Sequence, residues 1–283
     1  MTLQSSTLPR VHWSFQLLGV MLLALTLMTG CPRSKGGGGK GNNGLDEVVN
    51  NNDSEVNPEA LLGEGNRLMG EGDFEGAIAN FTRAIEANPR FQAAYENRAV
   101  AYTHERKFNE ALSDFAEALD IGPESPQLFF NLGNLYASYA LFEEAAKTYQ
   151  RSLELDANQS AALNNLGNAY CALRRYEQAR QTLEELTRRF PDVPEGFNNL
   201  GVVHEMQGEI DRAAELYRRA IEVDPKYADG HLSLGMLLYR KKGQDREAVR
   251  LLKAFLKLAP EEASERHKVR GTIERLEVRI NAM

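Results

Sequence analysis

The chain has 283 residues, 42% of them hydrophobic and 26% charged, with a formal net charge of −7. That apolar share supports a folded core and excludes wholesale disorder, while the acidic balance argues against bulk attraction to nucleic acid. Two cysteines exclude a disulfide-rich scaffold and a cysteine-only zinc site, and 36 leucines and 32 alanines against 20 valines and isoleucines together favour helix over strand.

Residues 1–30 differ in character from the rest. Arg10 is the only charged side chain before Cys31, and an apolar run from Phe15 to Met28 follows it. The run is shorter than the roughly 20 apolar residues a membrane span needs. A charged start, an apolar middle and small residues at the end make a secretory signal. The segment closes Leu27-Met28-Thr29-Gly30-Cys31, which resembles the lipobox of bacterial lipoproteins, with Met28 where that family usually has Leu. The resemblance implies cleavage before Cys31 and a lipid on its sulfur. The chain is then expected in the bacterial cell envelope, anchored in the outer membrane and facing the periplasm. The alternative is an ordinary signal peptide with a chance cysteine. With Cys31 lipidated, Cys171 is the one free thiol, expected as a small packing or groove residue rather than a nucleophile.

Residues 31–57 form a linker. Gly36 to Gly39, Gly41, Gly44 and Asn50 to Asn52 give neither helical nor strand periodicity. A glycine-rich coil of this length has a root-mean-square span of roughly 28 Å, which suits a folded body held just off a membrane.

From residue 58 to 260 the chain repeats. Ala77-Phe81-Ala84-Pro89 recurs as Ala111-Phe115-Ala118-Pro123, then as Ala145-Tyr149-Ser152-Ala157, Ala179-Leu183-Leu186-Pro191 and Ala213-Tyr217-Ala220-Pro225, each time shifted by 34. A sixth copy, Ala248-Leu252-Phe255-Pro260, is shifted by 35, the extra residue falling in the turn-like stretch 241–245. Upstream lies a second register: Leu132-Gly133 with Tyr136, Leu166-Gly167 with Tyr170, Leu200-Gly201 with His204, Leu234-Gly235 with Leu238. Apolar residues at spacings of three and four put one stripe on each helix, and proline ends the second helix of a unit. No unit buries its own face, so stacking is obligatory.

These registers resemble the tetratricopeptide repeat. The resemblance implies an all-α fold, a right-handed α-solenoid of six helix–turn–helix repeats. Residues 261–283, with Val269, Ile273, Leu276 and Ile280 at helical spacing, are expected to form a C-terminal capping helix.

No catalytic constellation emerges: there is no phosphate-binding glycine loop and no metal-binding histidine pair. The chain is read as a non-enzyme without cofactor or metal. His204 and His231 replace the usual tyrosine and large apolar residue, and are expected to be packed imidazoles. The informative column is the sixth position of each repeat: Gly63, Asn97, Asn131, Asn165, Asn199, Ser233. Asparagine is a poor helix-interior residue, because its amide competes for backbone groups. Position five adds Phe130, Asn164 and Asn198, and position nine Asn66, Asn134 and Asn168. An asparagine ladder at these places resembles that of the O-linked N-acetylglucosamine transferases, which implies a concave groove gripping the backbone of an extended peptide. The alternative is that each asparagine bonds a neighbouring repeat. Chaperone-binding members of the family clamp a C-terminal carboxylate with Lys and Arg, but the corresponding places here hold Ala93, Glu96 and Gln127.

The reading is therefore a membrane-anchored scaffold that binds another cell-envelope protein, through an extended segment or a helix, in an Asn-lined groove. A lipidated N-terminus before six repeats also resembles the type IV pilus pilotins, which implies a role in secretin assembly. An adaptor for cell-wall enzymes is the further alternative.

Overall fold

The computed structural model describes residues 57–282 apart from residue 242. The signal segment 1–30, Cys31 and the linker up to residue 56 therefore lie outside the described residues. The first helix shows how the sequence sets its own limits. The Asn57 side-chain oxygen accepts from the backbone N–H groups of Glu59 and Ala60 at 2.9 and 3.1 Å. Pro58 takes the first helical position, where a missing N–H is no loss. Helix α1 (Pro58–Glu71) then runs to Gly72, whose left-handed backbone (φ 80°) lets its own N–H reach Met69 O and the Asp73 N–H reach Leu68 O. Helix α2 (Phe74–Ala87) folds back on α1, and the chain leaves it at Asn88-Pro89.

The same pair is built five more times. They are α3 (Gln92–His104) with α4 (Phe108–Ile121), α5 (Pro126–Ser138) with α6 (Phe142–Leu155), and α7 (Ser160–Ala172) with α8 (Tyr176–Arg189). The last two are α9 (Pro194–Met206) with α10 (Ile210–Val223), and α11 (Ala228–Lys241) with α12 (Asp245–Leu258). The left-handed residue between paired helices recurs at Arg106, Ala140, Arg174 and Gly208, and then at Gly243. Three of these carry a Cβ, a strain of about 1–2 kcal/mol each. The turn is held closed by Lys107 N–H on Tyr102 O, Leu141 N–H on Tyr136 O and Arg175 N–H on Tyr170 O, at 2.8–2.9 Å. The extra residue of the sixth copy lengthens α11 to 14 residues, against 13 for α3, α5, α7 and α9.

The repeat columns become the core. The first helix of each pair (the A helix) packs its small residue on the aromatic or leucine of the second (the B helix). A Cβ added at Gly133 would meet the Tyr149 ring at 2.5 Å, and one at Gly201 the Tyr217 ring at 2.6 Å. Phe81, Phe115, Tyr149, Leu183, Tyr217 and Leu252 are buried throughout the stack, each worth about 1.5–3 kcal/mol of apolar burial. Ser152, at the one place where the small-residue column turns polar, donates to Pro126 O at 2.7 Å. Arg98 spans α3 and α4 by a bidentate pair with buried Asp114 (2.7 and 2.8 Å) and a bond to Thr82 Oγ1 at 3.0 Å.

The last helix, α13 (Glu265–Asn281), covers the sixth repeat with Val269, Ile273 and Leu276. Arg266 bonds Leu256 O and Ala259 O, the loose carbonyls at the end of α12, and Arg279 pairs with Asp245 at its start. The whole is an all-α solenoid of helix–turn–helix repeats, and among the described residues there is no strand. No described helix is long and apolar enough to cross a membrane. Successive A helices approach one another directly, at α1–α3, α3–α5, α7–α9 and α9–α11, whereas B helices meet mainly the A helices beside them. This crowds the A helices onto the inner side of the stack. The A pair that approaches least is α5 and α7.

Candidate functional site

A cavity of about 520 Å³ opens where α5 and α7 stand apart. Its walls come from α5, α6, α7 and α9. Six of the expected groove residues line it: Phe130, Asn134, Asn164, Asn165, Asn168 and Asn199. Three do not. Asn97 sits on α3, in the repeat before the cavity's first wall, and donates to Asn66 Oδ1 at 2.7 Å. Asn131 accepts from Gln127 Nε2 within its own helix at 2.9 Å. Asn198 is fully buried among the helices, out of reach of any partner. Cys31, the lipidation candidate, is outside the described residues.

The amides form a network across repeats. Asn165 Nδ2 donates to Asn134 Oδ1 at 3.0 Å, and the Tyr149 hydroxyl donates to the same oxygen at 2.8 Å. Burial holds the Tyr149 hydroxyl above the ordinary tyrosine range, so it stays a donor. One repeat on the pattern shifts. Asn199 Nδ2 reaches Asn164 Oδ1 at 2.8 Å instead of Asn168. Asn168 Nδ2 is left buried at the cavity without a partner. An orphaned amide donor costs about 1–3 kcal/mol. The ladder is therefore a clip between repeats at Asn97, Asn165 and Asn199, with one amide of the cavity lining, Asn168, whose buried nitrogen makes no hydrogen bond.

The remaining lining was not read from the sequence as groove. Phe142, Val193 and Val202 add apolar wall, and Glu195 is the one charged side chain of the lining. Val202 shares position nine with Asn134 and Asn168, so the column itself carried the signal. Tyr149 was legible only as a core aromatic, yet its ring edge reaches the cavity beside Phe130, with centroids 6.0 Å apart. Cys171 lines the cavity as well, and burial pushes its thiol up to about 11, so it is a neutral side chain there at ordinary pH. His204 packs against Glu209, Nδ1 to Oε2 at 2.7 Å, and His231 bonds Pro225 O through Nε2 at 2.9 Å. Among the described residues no three His, Cys, Asp or Glu side chains gather as a metal site.

Stacked helix pairs with a groove of amides and apolar side chains on the inner face define a helical-repeat scaffold of the kind that holds proteins and peptides. Residues 62–126, 105–162, 130–194, 164–228 and 207–263 match the family model described as the tetratricopeptide repeat, and the chain belongs to that family. No curated protein sequence matches it. Among solved structures the chain is similar to PilW, described as a widely conserved type IV pilus biogenesis factor, at 20% identity and a TM-score of 0.65. That match covers 75% of this chain and 97% of PilW. It is similar to Pseudomonas aeruginosa PilF at 19% identity and a TM-score of 0.62, over 76% of this chain and 96% of PilF. It is also similar to YrrB, described as having an unusual peptide-binding site, at 23% identity and a TM-score of 0.53, over 63% and 92% of the two chains.

Proposed function

We propose that the chain is a lipid-anchored adaptor of the bacterial cell envelope, non-catalytic, whose inner groove holds an extended segment of another envelope protein. The observation that carries this reading is the cavity between α5 and α7, walled by apolar side chains and asparagine amides, with the Asn168 donor unpartnered. A turn of the Asn168 side chain would offer its unbonded donor to a peptide backbone in the cavity, and apolar side chains of the segment fill the space around Phe130 and Val202. Cys31, behind a secretory apolar run, supports the anchor, and residues 32–57 would let the solenoid stand off the outer membrane.

Co-purification from detergent-solubilised envelopes tests the reading. A partner retained by the native chain and lost from Asn168→Ala with Phe130→Ala supports the groove; retention by that variant refutes it. Palmitate labelling lost in Cys31→Ala supports the anchor, and labelling that persists refutes it. The solenoid matches PilW and PilF over nearly their whole lengths, and this favours a pilotin-like role in type IV pilus secretin assembly as a second reading. A secretin in the co-purified material would select it, and a cell-wall hydrolase or synthase would select the adaptor for cell-wall enzymes.

A further inference from the structure

The cavity is a trough laid along one helix. Its lining takes residues from both ends of α7, Ser160 and Ala161 at the start, Cys171 and Ala172 at the finish. The helix between them extends about 18 Å, which an extended segment of about five or six residues covers. On one side α9 walls the start and middle through Val193, Glu195, Asn199 and Val202. On the other α5 walls the middle and far end through Phe130, Asn134, Ala137 and Ser138.

The far end arises from a local break in the repeat pattern. The last two residues of the A helix are Ala137-Ser138 in α5 and Cys171-Ala172 in α7, and all four line the cavity. The same two places hold Thr103-His104 in α3 and Glu205-Met206 in α9. Small side chains on both walls leave room there, and Phe142 gives that room an apolar face. The middle of the trough is amide. The bond from Asn165 Nδ2 to Asn134 Oδ1 leaves Asn134 Nδ2 and Asn165 Oδ1 outside it, a donor beside an acceptor on two half-buried side chains. Such a pair matches the C=O and N–H of a peptide unit. A chain crossing the ladder from repeat to repeat would meet Asn97 and Asn131 instead. Asn97 is engaged by Asn66 and Asn131 by Gln127, and neither lines the cavity. No Lys, Arg or His is among the lining residues and Glu195 is its one charge, so an acidic segment or a free carboxylate finds no counter-ion.

Resting on the reading of the groove as a peptide site, we propose that the bound segment lies lengthwise along α7 rather than across the asparagine ladder. It is an extended, non-acidic stretch of about six residues. One aromatic or large aliphatic side chain enters the far end against Phe142, between Ala137 and Ala172. The backbone next to it meets the free amide atoms of Asn134 and Asn165. A large side chain seated in a desolvated recess is the usual anchor of such an interface.

Random ten-residue segments, displayed with both ends embedded in a carrier loop, are panned against the full chain in detergent. The native chain enriches segments with an aromatic residue or leucine and depletes Asp and Glu. A selected segment keeps its affinity when cut to about six residues around the apolar one. Ala172→Phe fills the far end and weakens that segment about tenfold. Ala137→Phe fills it from the opposite wall and does the same, so the test survives if one variant fails to fold by its melting temperature. Asn97→Ala/Asn131→Ala, outside the trough, leaves affinity unchanged. Weakened binding by that ladder variant, or full binding by a folded filled variant that the ladder variant loses, overturns the lengthwise seating while the groove reading stands. Binding indifferent to all three variants, or no enrichment of any segment, overturns both.

Discussion

Replacing single ladder asparagines separates clip from binding surface, and Asn199 gives the largest expected effect. Its Nδ2 donates to Asn164 Oδ1 at 2.8 Å, and both side chains are buried, 4% and 5% exposed. Asn199→Ala removes that bond, worth about 0.5–1.5 kcal/mol, and leaves the Asn164 oxygen buried without a donor, a further cost of about 1–3 kcal/mol. Alanine returns up to about 0.7 kcal/mol of helix propensity. The net loss is about 1–4 kcal/mol, or a fall of roughly 2–16 °C in melting temperature for a chain of this size. Asn131 is the contrast. Its oxygen accepts only from Gln127 one turn away, so Asn131→Ala is neutral or slightly stabilising. Asn165→Ala falls between them, because Tyr149 still donates to the Asn134 oxygen that Asn165 releases. Calorimetry of the three single variants is the assay. Asn131→Ala as damaging as Asn199→Ala, or Asn199→Ala without effect, refutes the assignment of these amides.

Glycines divide in the same way. Gly201→Ala drives a Cβ to 2.6 Å from the ring of buried Tyr217 and costs about 1–3 kcal/mol, whereas Gly70→Ala meets nothing within 4 Å and gains about 0.5–1 kcal/mol in chemical denaturation. Exposed Ala140 holds φ 58° between α5 and α6, so Ala140→Gly relieves strain and raises the melting temperature; a fall would contradict the turn geometry. Asp114→Ala leaves the Arg98 guanidinium unpaired between α3 and α4, and urea denaturation is expected to show a loss of about 3–5 kcal/mol.

The solenoid was legible because one residue carries one job per repeat. Ala77 through Ala248 and Phe81 through Leu252 recur at fixed spacing, and all are buried. Pro89, Pro123, Pro191 and Pro225 mark the ends of B helices for a reason local to the chain. The turns between paired helices were less legible. Arg106, Ala140 and Arg174 adopt positive φ without any glycine to announce it, because the hydrogen bonds closing the turn outweigh the strain. The asparagine column announced the groove but not the destination of each amide. Position nine of the preceding repeat decides it in three cases, since Asn66 receives Asn97, Asn134 receives Asn165 and Val100 offers Asn131 nothing, but Asn199 passes over Asn168 and reaches Asn164. Asn198 shares its column with Phe130 and Asn164 and is nonetheless fully buried, since α9 packs more tightly against its neighbours than α5 does.

Occupation of the inner groove is the central claim, and site-specific photocrosslinking in intact cells tests it most directly. A photoreactive residue replaces Ala161, which is exposed and lines the cavity, or Gln181, which is exposed on α8 outside it. The account predicts a discrete adduct with one envelope protein from position 161, diminished by Asn168→Ala, and none from position 181. Equal adducts from both positions, or one from 181 alone, would contradict it.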